Sequence, residues 1–211
     1  MSSKLQKAQE FLQLIKQRRS IHALNNTPIL PDGELISLIK STVRESPSAF
    51  NSQTSRVVIL LGEDHKNYWS NIVQPSMRKA ITDEAVWAHI GPRYDLFKQA
   101  YGTALFFEDE NVIKDLQKDH AVIAKFFPQW SNHASGMAQV NTWTALEIAG
   151  YGANLQHNVQ AAPATIVEKY GVPDEWTLHA ELVFGTPIAT PPEKKYIDDS
   201  ERFKVFGAKQ T

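Results

Sequence analysis

Apolar positions first recur at helical spacing in Leu5, Ala8, Leu12 and Ile15, with Phe11 beside the stripe. They predict a helix over residues 4–19. Asn25 to Pro28 reads as a loop. The turn Pro31-Asp32-Gly33 then leads into a second helix, 33–45, with Ile36, Ile39 and Val43 as its expected buried stripe. Arg56 to Leu61 is a short β-branched run stopped by Gly62 and reads as a buried strand. Residues 64–80 read as helix, with Tyr68, Trp69, Ile72 and Val73 inward and Pro75 as a break or kink. The stretch 81–101 predicts irregular helix and loop. Residues 103–107 form a second strand and 111–118 a helix. Residues 164–170 form another helix with Ile166 and Val167 buried, and Thr177 to Phe184 alternates in part and reads as a third strand.

The least polar helix lies between these elements, in the stretch Ser131 to His157. From Ala134 to Gly150 its one charged residue is Glu147. A helix that is apolar around most of its circumference is buried, and one of this length runs roughly 25–30 Å. Gln139, Asn141, Thr142, Thr144 and Glu147 make it too polar for a membrane span. It stops at Gly150-Tyr151-Gly152 and delivers a short polar segment, Asn154 to His157, expected as a loop. That arrangement is either a glycine C-cap and nothing more, or a way to place backbone donors against a ligand. Helices alternate with strands and outnumber them. The fold class is therefore α+β, an α/β sandwich in which helices cover a small mixed β-sheet, as a single domain over 1–211.

Composition narrows the function classes. The chain has 211 residues, 42% hydrophobic and 21% charged, ordinary for a protein with a real core. A net charge of −1 gives no general attraction to nucleic acid or anionic membrane, so neither is expected as a partner. The absence of cysteine excludes disulfides, thiolate metal sites and a cysteine nucleophile. It is compatible with the cytoplasm, the expected location. The opening residues MSSKLQKAQEF contain no apolar signal core.

Candidate chemistry collects in a few places. Lys16, Arg18 and Arg19 either complement the carboxyl end of the first helix or, with Ser20, form an anion site suited to phosphate oxygens. Ser46-Pro47-Ser48-Ala49-Phe50-Asn51-Ser52-Gln53 is either a solvated connector or a polar edge able to pair with a heterocycle that carries donors and acceptors. The acidic run Glu108-Asp109-Glu110 reads as a helix start rather than a cation site. His120, Phe126, Phe127, Pro128 and Trp130 read as core or as a lid over a pocket. His89, Arg93 and Tyr94 have no meaningful metal spacing, and no metal is expected. The tail, Thr186 to Thr211, is either a solvated extension or a segment that wraps a neighbour.

Three pieces in a fixed order carry a resemblance: Arg18-Arg19-Ser20-Ile21-His22 after a helix, Ser46 to Gln53 between a helix and a strand, and Gly150 to His157 after the central helix. With the tail Glu201 to Gly207, they resemble the FMN-dependent nitroreductase family across nearly the whole chain. The resemblance is closest to the compact branch of fungal fatty-acid-repression-mutant proteins and their bacterial relatives. It implies a nitroreductase-like fold with a long buried central helix and a homodimer in which the C-terminal extension wraps the partner subunit. Flavin sites would lie at the interface, and the small residues Ala134, Ala138, Ala145 and Ala149 would allow close helix approach across it. By the same resemblance Arg18, Arg19 and Ser20 grip the FMN phosphate and ribityl chain. His22 approaches the pyrimidine edge, and Ser46, Ser48, Asn51 and Gln53 come from the other subunit. Backbone at Leu155, Gln156 and His157 faces the flavin. Lys194, Lys195, Arg202 and Lys204 compete to complete the phosphate site, with Lys195 and Arg202 the expected contacts. Many relatives carry Pro-x-Glu-Gly or Gly-Gly where this chain has Leu155-Gln156-His157-Asn158, so the side chains over the flavin differ. The implied activity is ping-pong transfer of two electrons from NADH or NADPH to a nitroaromatic, quinone or similar small acceptor, with no side chain assigned as catalytic. The alternatives are a flavin-binding regulator in stress or lipid signalling and a flavin-free helical interaction protein.

Overall fold

In the computed structural model, which describes residues 3–158 and 163–209, the strands come in the order β1 (Leu24–Asn25), β2 (Ser55–Leu61), β3 (Gly102–Asp109), β4 (Gly152–Gln156) and β5 (Trp176–Pro187). They build one sheet in the order β1-β5-β3-β2, with β4 also on β5. The three anticipated strands are β2, β3 and β5, and every named ladder is antiparallel. The parallel component of the expected mixed sheet is a single bridge, Ser20 to Ala153. All of β3 is buried, as befits a strand paired on both sides and covered on both faces.

Side chains alternate across β3 and sort the core into two layers. Leu105 and Phe107 pack with Tyr68, Trp69, Tyr94, Phe97 and Ile166 on one face. Ala104 and Phe106 pack with Leu35, Ile39, Ala138, Leu146 and Tyr151 on the other. The first layer is supplied by α3 (Gly62–Asn67), a π-helical turn (Tyr68–Val73), α4 (Gln74–Ala80), α5 (Glu84–Lys98) and α8 (Pro163–Tyr170). The second is supplied by α2 (Asp32–Arg44) and the 22-residue α7 (Phe127–Ile148). Among the described residues no helix is long and apolar enough to cross a membrane.

Pro75 sits in the first turn of α4, where its missing N–H costs little, and the wide π turn precedes it. The irregular stretch expected at 81–101 is instead the regular helix α5. Asp83 caps it, its carboxylate accepting from Ala85 N (2.8 Å) and Val86 N (3.1 Å). Pro92 removes a hydrogen bond inside this helix. Packing of Tyr94 on Trp87 (5.9 Å, 18°) and Phe97 on Trp69 (4.8 Å) offsets that loss. The acidic run also resolves as a helix start. Asp109 caps α6 (Glu110–Asp119), accepting from Asn111 N and Val112 N, while Glu108 is buried and accepts from Ser55 Oγ (2.6 Å) and Ser131 Oγ.

Two expectations about apolar faces change. The stripe on α1 (Ser3–Gln17) is not covered within the subunit: Phe11 is 61% exposed and Leu12 58%. The central helix is buried on one side only. Ala134 and Ala138 face inward against the subunit's own core, so they do not serve approach of a partner helix. Met137, Val140 and Ile148 are the apolar residues left outside.

His65 lies in the buried layer. Its Nδ1 contacts Thr103 Oγ1 (2.9 Å) and its Nε2 contacts the Phe97 carbonyl oxygen (3.0 Å). Trp69 Nε1 donates to the same hydroxyl (2.9 Å). Only a ring N–H can serve a carbonyl, so Nε2 carries the proton and Nδ1 accepts from Thr103. Burial lowers the His65 pKa from 6.5 to about 4. The unfolded chain therefore binds a proton below 6.5 that the folded chain refuses until about 4. This stabilising contribution is complete above 6.5 and is lost as the pH falls towards 4, in total about 3 kcal/mol. Urea unfolding measured between those limits should show stability rising with pH by about 1.4 kcal/mol per unit from this group. In His65→Gln that part of the slope should disappear.

Candidate functional site

The central helix ends as its glycines foretold. Tyr151 N donates to Leu146 O and Gly150 N to Glu147 O, both at 3.0 Å, with Gly150 at φ +96. This is a Schellman stop. The chain does not continue as a loop, however: Gly152–Gln156 is strand β4, paired with β5 from Gly152↔Gly185 to Gln156↔Glu181. A segment reading GANLQ has little intrinsic strand preference, and the waiting edge of β5 overrides it. The facing glycines have a purpose. A Cβ on Gly152 would lie 2.9 Å from Leu24 and 3.2 Å from Ile21, and one on Gly185 would lie 2.5 Å from Asn25 O. Without side chains there, the N-terminal segment passes directly over the sheet.

That segment carries Arg18, Arg19, Ser20 and His22. It is clipped to β4 by the Ser20–Ala153 bridge, by Ile21 N donating to Ala153 O (2.9 Å) and by Asn154 Nδ2 donating to Ile21 O (2.9 Å). Its other attachment is Glu147 on α7. The carboxylate accepts Arg19 N at 2.9 and 3.0 Å and Trp143 Nε1 at 3.0 Å. Burial raises the Glu147 pKa, opposed by those two N–H donors and by the charges of Arg18 and Lys194. The Arg18 guanidinium stacks 4.5 Å over the Trp143 ring. Arg19 donates to the Pro192 carbonyl, and Lys194 Nζ to Lys16 O (3.0 Å). The tail is thereby fastened beside the arginines.

The first and third sequence pieces thus meet. A cavity of about 330 Å³ is lined by Arg18, Arg19, Ser20, His22, Pro191, Pro192 and Lys194. It adjoins a groove of about 410 Å³ walled by Arg18, Ser20, Gly136, Gln139, Val140, Trp143 and Leu155. Burial, and then the positive charges of Arg18 and Arg19, lowers the Lys194 pKa. Burial and then Arg93 lower that of His22. Two arginines that depress the protonation of a neighbouring lysine mark a place where an anion is favoured. The basic residue of the tail at this cavity is Lys194. The expected Lys195 and Arg202 are exposed and are not among the residues lining it.

The remaining strip residues differ in exposure. Leu155 is in the groove, Gln156 is half-buried and donates to Asn154 Oδ1 (2.7 Å), and His157 is exposed. Immediately after them Asn158 is fixed by a buried network that sequence reasoning missed. Glu181 is fully buried on β5. Its Oε1 accepts Tyr68 OH (2.7 Å), and its Oε2 accepts Asn158 N (2.8 Å) and Nδ2 (3.0 Å). Tyr94 OH donates to Asn158 Oδ1 (3.1 Å). Burial raises the Glu181 pKa against these donors. Glu147 and Trp143 were missed too, although a lone carboxylate on an otherwise uncharged helix was the available signal.

The second piece stands apart. Ser46, Ser48 and Gln53 line a different cavity, about 420 Å³, with Lys40, Arg44, Arg56, Ala134 and Ala138. Its residues on α7 are not those of the groove, so within one subunit the helix separates the two. The loop is built rather than slack. Phe50, Asn51 and Gln53 all have positive φ (58°, 51° and 49°), a conformation costly for side-chain-bearing residues and held only where surroundings impose it. Gln53 N donates to Ser48 Oγ (2.9 Å), Asn141 Nδ2 to Ser46 Oγ (2.9 Å), and the Phe50 ring packs on His120, Phe127 and Trp130. A merely solvated connector does not account for this.

Comparison with known proteins identifies the family. The model of the Nitroreductase family matches residues 15–186. HBN1 of Saccharomyces cerevisiae is 39% identical over 198 residues, covering 92% of this chain and 96% of that protein. The nitroreductase FRM2 of the same yeast is 37% identical over 194 residues, covering 90% and 94%. The structure of nitroreductase CinD from Lactococcus lactis in complex with chloramphenicol superposes with a TM-score of 0.86 at 41% identity, over 93% of this chain and 100% of that one. Its complex with 4-nitrophenol gives 0.85 at 40%, with the same coverage. The chain belongs to the nitroreductase family, and with it to the flavin-dependent oxidoreductases.

Glu181→Ala strands the buried donors of Tyr68 and Asn158. Each unsatisfied buried group costs about 1–3 kcal/mol, so a total loss of about 3 kcal/mol or more in denaturant unfolding is expected. Tyr68→Phe, which removes one donor and leaves the other two, should cost about 1 kcal/mol.

Proposed function

We propose that this member of the nitroreductase family binds FMN and uses it to pass two electrons from NADH or NADPH to a nitroaromatic, quinone or similar small acceptor, by a ping-pong mechanism. The observation that carries the cofactor assignment is that the cationic cavity and the groove share Arg18 and Ser20 in their walls. Arg18, Arg19, Lys194 and His22 surround the hydroxyl of Ser20 in a volume suited to a phosphate. The groove that opens from it is walled by Trp143, Val140 and Leu155, suited to a flat ring system. FMN, when bound, supplies the redox chemistry, accepting a hydride equivalent and delivering it to the acceptor.

The chain's own groups bind and orient. Arg18 and Lys194 hold the phosphate, and β4 presents Leu155 and the peptides that follow it to the ring. The cations at this end favour an electron-rich ligand. No side chain is assigned as proton donor. The 4-nitrophenol complex of CinD supports a nitroaromatic acceptor.

The site is shared in a homodimer. Each subunit offers a cationic cavity and, across α7, a strained polar loop at Ser46–Gln53, and the two-fold partner's loop completes each cavity. Exposed apolar residues supply the contact: Phe11 and Leu12 on α1, Met137 and Val140 on α7, and Val205 and Phe206 in the tail. The tail wraps the partner, and the protein works in the cytoplasm, where reduced nicotinamides are available.

Anaerobic mixing of the FMN-loaded protein with NADH or NADPH should bleach the flavin absorbance, and a nitroaromatic or quinone should restore it. A colourless preparation that takes up no added FMN would overturn the reading, and colour without turnover would leave a flavin-binding regulator. Sedimentation should return twice the 23.8 kDa chain mass. Arg18→Ala and Lys194→Ala should each raise the Kd for FMN about tenfold or more, since hydrogen bonds to charged groups carry about 1.5–3 kcal/mol. Lys195→Ala should change it by less than about twofold, as an exposed cation outside the cavity contributes little.

A further inference from the structure

Arg18 is held in an unusual way for an arginine beside a carboxylate. Glu147 is its neighbour, yet among the described residues no acceptor lies within ion-pair distance of the Arg18 guanidinium. No hydrogen bond of that side chain to protein occurs among them either. The carboxylate is instead engaged by Arg19 N and by Trp143 Nε1. The same indole presents its face to Arg18 at 4.5 Å. One residue therefore serves two neighbours: its N–H occupies Glu147, and its ring carries the guanidinium. A stacked guanidinium keeps its in-plane N–H donors free, which an ion-paired one does not.

We propose that Trp143 is a positioning residue that sets the selectivity of this site for phosphorylated flavin. By stacking under Arg18 and drawing Glu147 onto its own N–H, Trp143 prevents an internal Arg18–Glu147 pair and leaves the fork open towards the cavity shared with Ser20 and Lys194. The ligand feature it selects is the terminal phosphate, not the ring. This rests on the FMN reading above and adds to it a source of discrimination between FMN and riboflavin.

The test is titration of FMN and of riboflavin into the full-length chain freed of flavin, followed by quenching of flavin fluorescence. The variants are Trp143→Leu, Trp143→Phe and Arg18→Lys. Trp143→Leu keeps an apolar wall but loses the ring face and the N–H. It should raise the Kd for FMN about tenfold more than that for riboflavin, the scale of a desolvated cation–π contact, because the changed groove wall meets the ring of both flavins alike. Trp143→Phe, which keeps the face without the N–H, should fall between wild type and Trp143→Leu. Arg18→Lys keeps the charge but not the flat fork and leaves the indole in place. It should show the same selective loss, which locates the discrimination at the guanidinium, and Trp143→Phe, the smaller change, decides the part of Trp143 even if Trp143→Leu folds poorly. Equal losses for both flavins in Trp143→Leu and Arg18→Lys, or no loss for either, would overturn the inference while leaving FMN binding intact. A wild-type chain that binds neither flavin would overturn the FMN reading and this inference with it.

Discussion

The arrangement of the site depends on one attachment: the docking of residues 18–22 between the end of α7 and the edge of β4. Neither contact is strong alone. A net backbone hydrogen bond is worth about 1 kcal/mol, and a charge-assisted one about 1.5–3 kcal/mol. Together they fix the segment at two points, Arg19 N on the Glu147 carboxylate and Ile21 N on Ala153 O. The geometry is possible because Gly152 and Gly185 leave the sheet surface bare. The Schellman stop at Gly150 matters for the same reason, since it turns the chain from α7 directly into β4. A helix end, a strand and an extended arm therefore converge, and their side chains enclose one cationic cavity.

Buried carboxylates give this region its rigidity. Glu108 ties β3 to the start of β2 and to α7 through Ser55 and Ser131. Glu181 ties β5 to Asn158 and Tyr68. No buried side-chain polar atom among the described residues lacks a partner. Such networks contribute little net stability compared with an apolar replacement, but they admit only one arrangement of their members. Glu108 braces the chain leading from the strained loop into β2, and Glu181 holds the residue that follows the β4 strip. Each therefore fixes the backbone beside a segment of the proposed site, where fractions of an ångström matter.

Much of this was legible in the sequence, and the failures have physical causes. Runs such as RVVILL and TALFF announce strands by composition, and Tyr68, Trp69, Ile72 and Val73 are buried as their spacing demanded. The stretch 152–156 was not legible as a strand, because its pairing is dictated by β5 and not by its own residues. Helix α5 was obscured by Gly91 and Pro92, whose local penalty is met by aromatic packing from distant elements. Within the proposed site, Arg18, Arg19, Ser20, His22 and Leu155 were named through the family resemblance, which rests on their order along the chain, and the structure brings them together. Trp143 and Glu147 were not named, since the lone carboxylate on that helix signalled a role without showing what lies across from it. Lys194 and Lys195 are adjacent in sequence, and only the path of the tail past Pro192 decides which reaches the cavity.

The cluster at Arg18, Arg19 and Lys194 also shows why such a site is not simply a patch of the stable fold. Like charges held together oppose folding, and burial and then the charges of Arg18 and Arg19 lower the Lys194 pKa. The obvious remedy is a carboxylate paired to Arg18, and one stands within electrostatic reach in Glu147. The structure does not take it: Glu147 is occupied by N–H groups, and Arg18 rests on an aromatic face. That choice forgoes an ion pair and keeps several N–H donors without a protein partner among the described residues, beside a cavity. A residue set that tolerates repulsion while declining the nearest internal counter-ion supports the proposed site for an anion that arrives from outside. The adjoining groove, with Val140, Trp143 and Leu155 in its wall, gives the proposed flavin ring a place beside that anion.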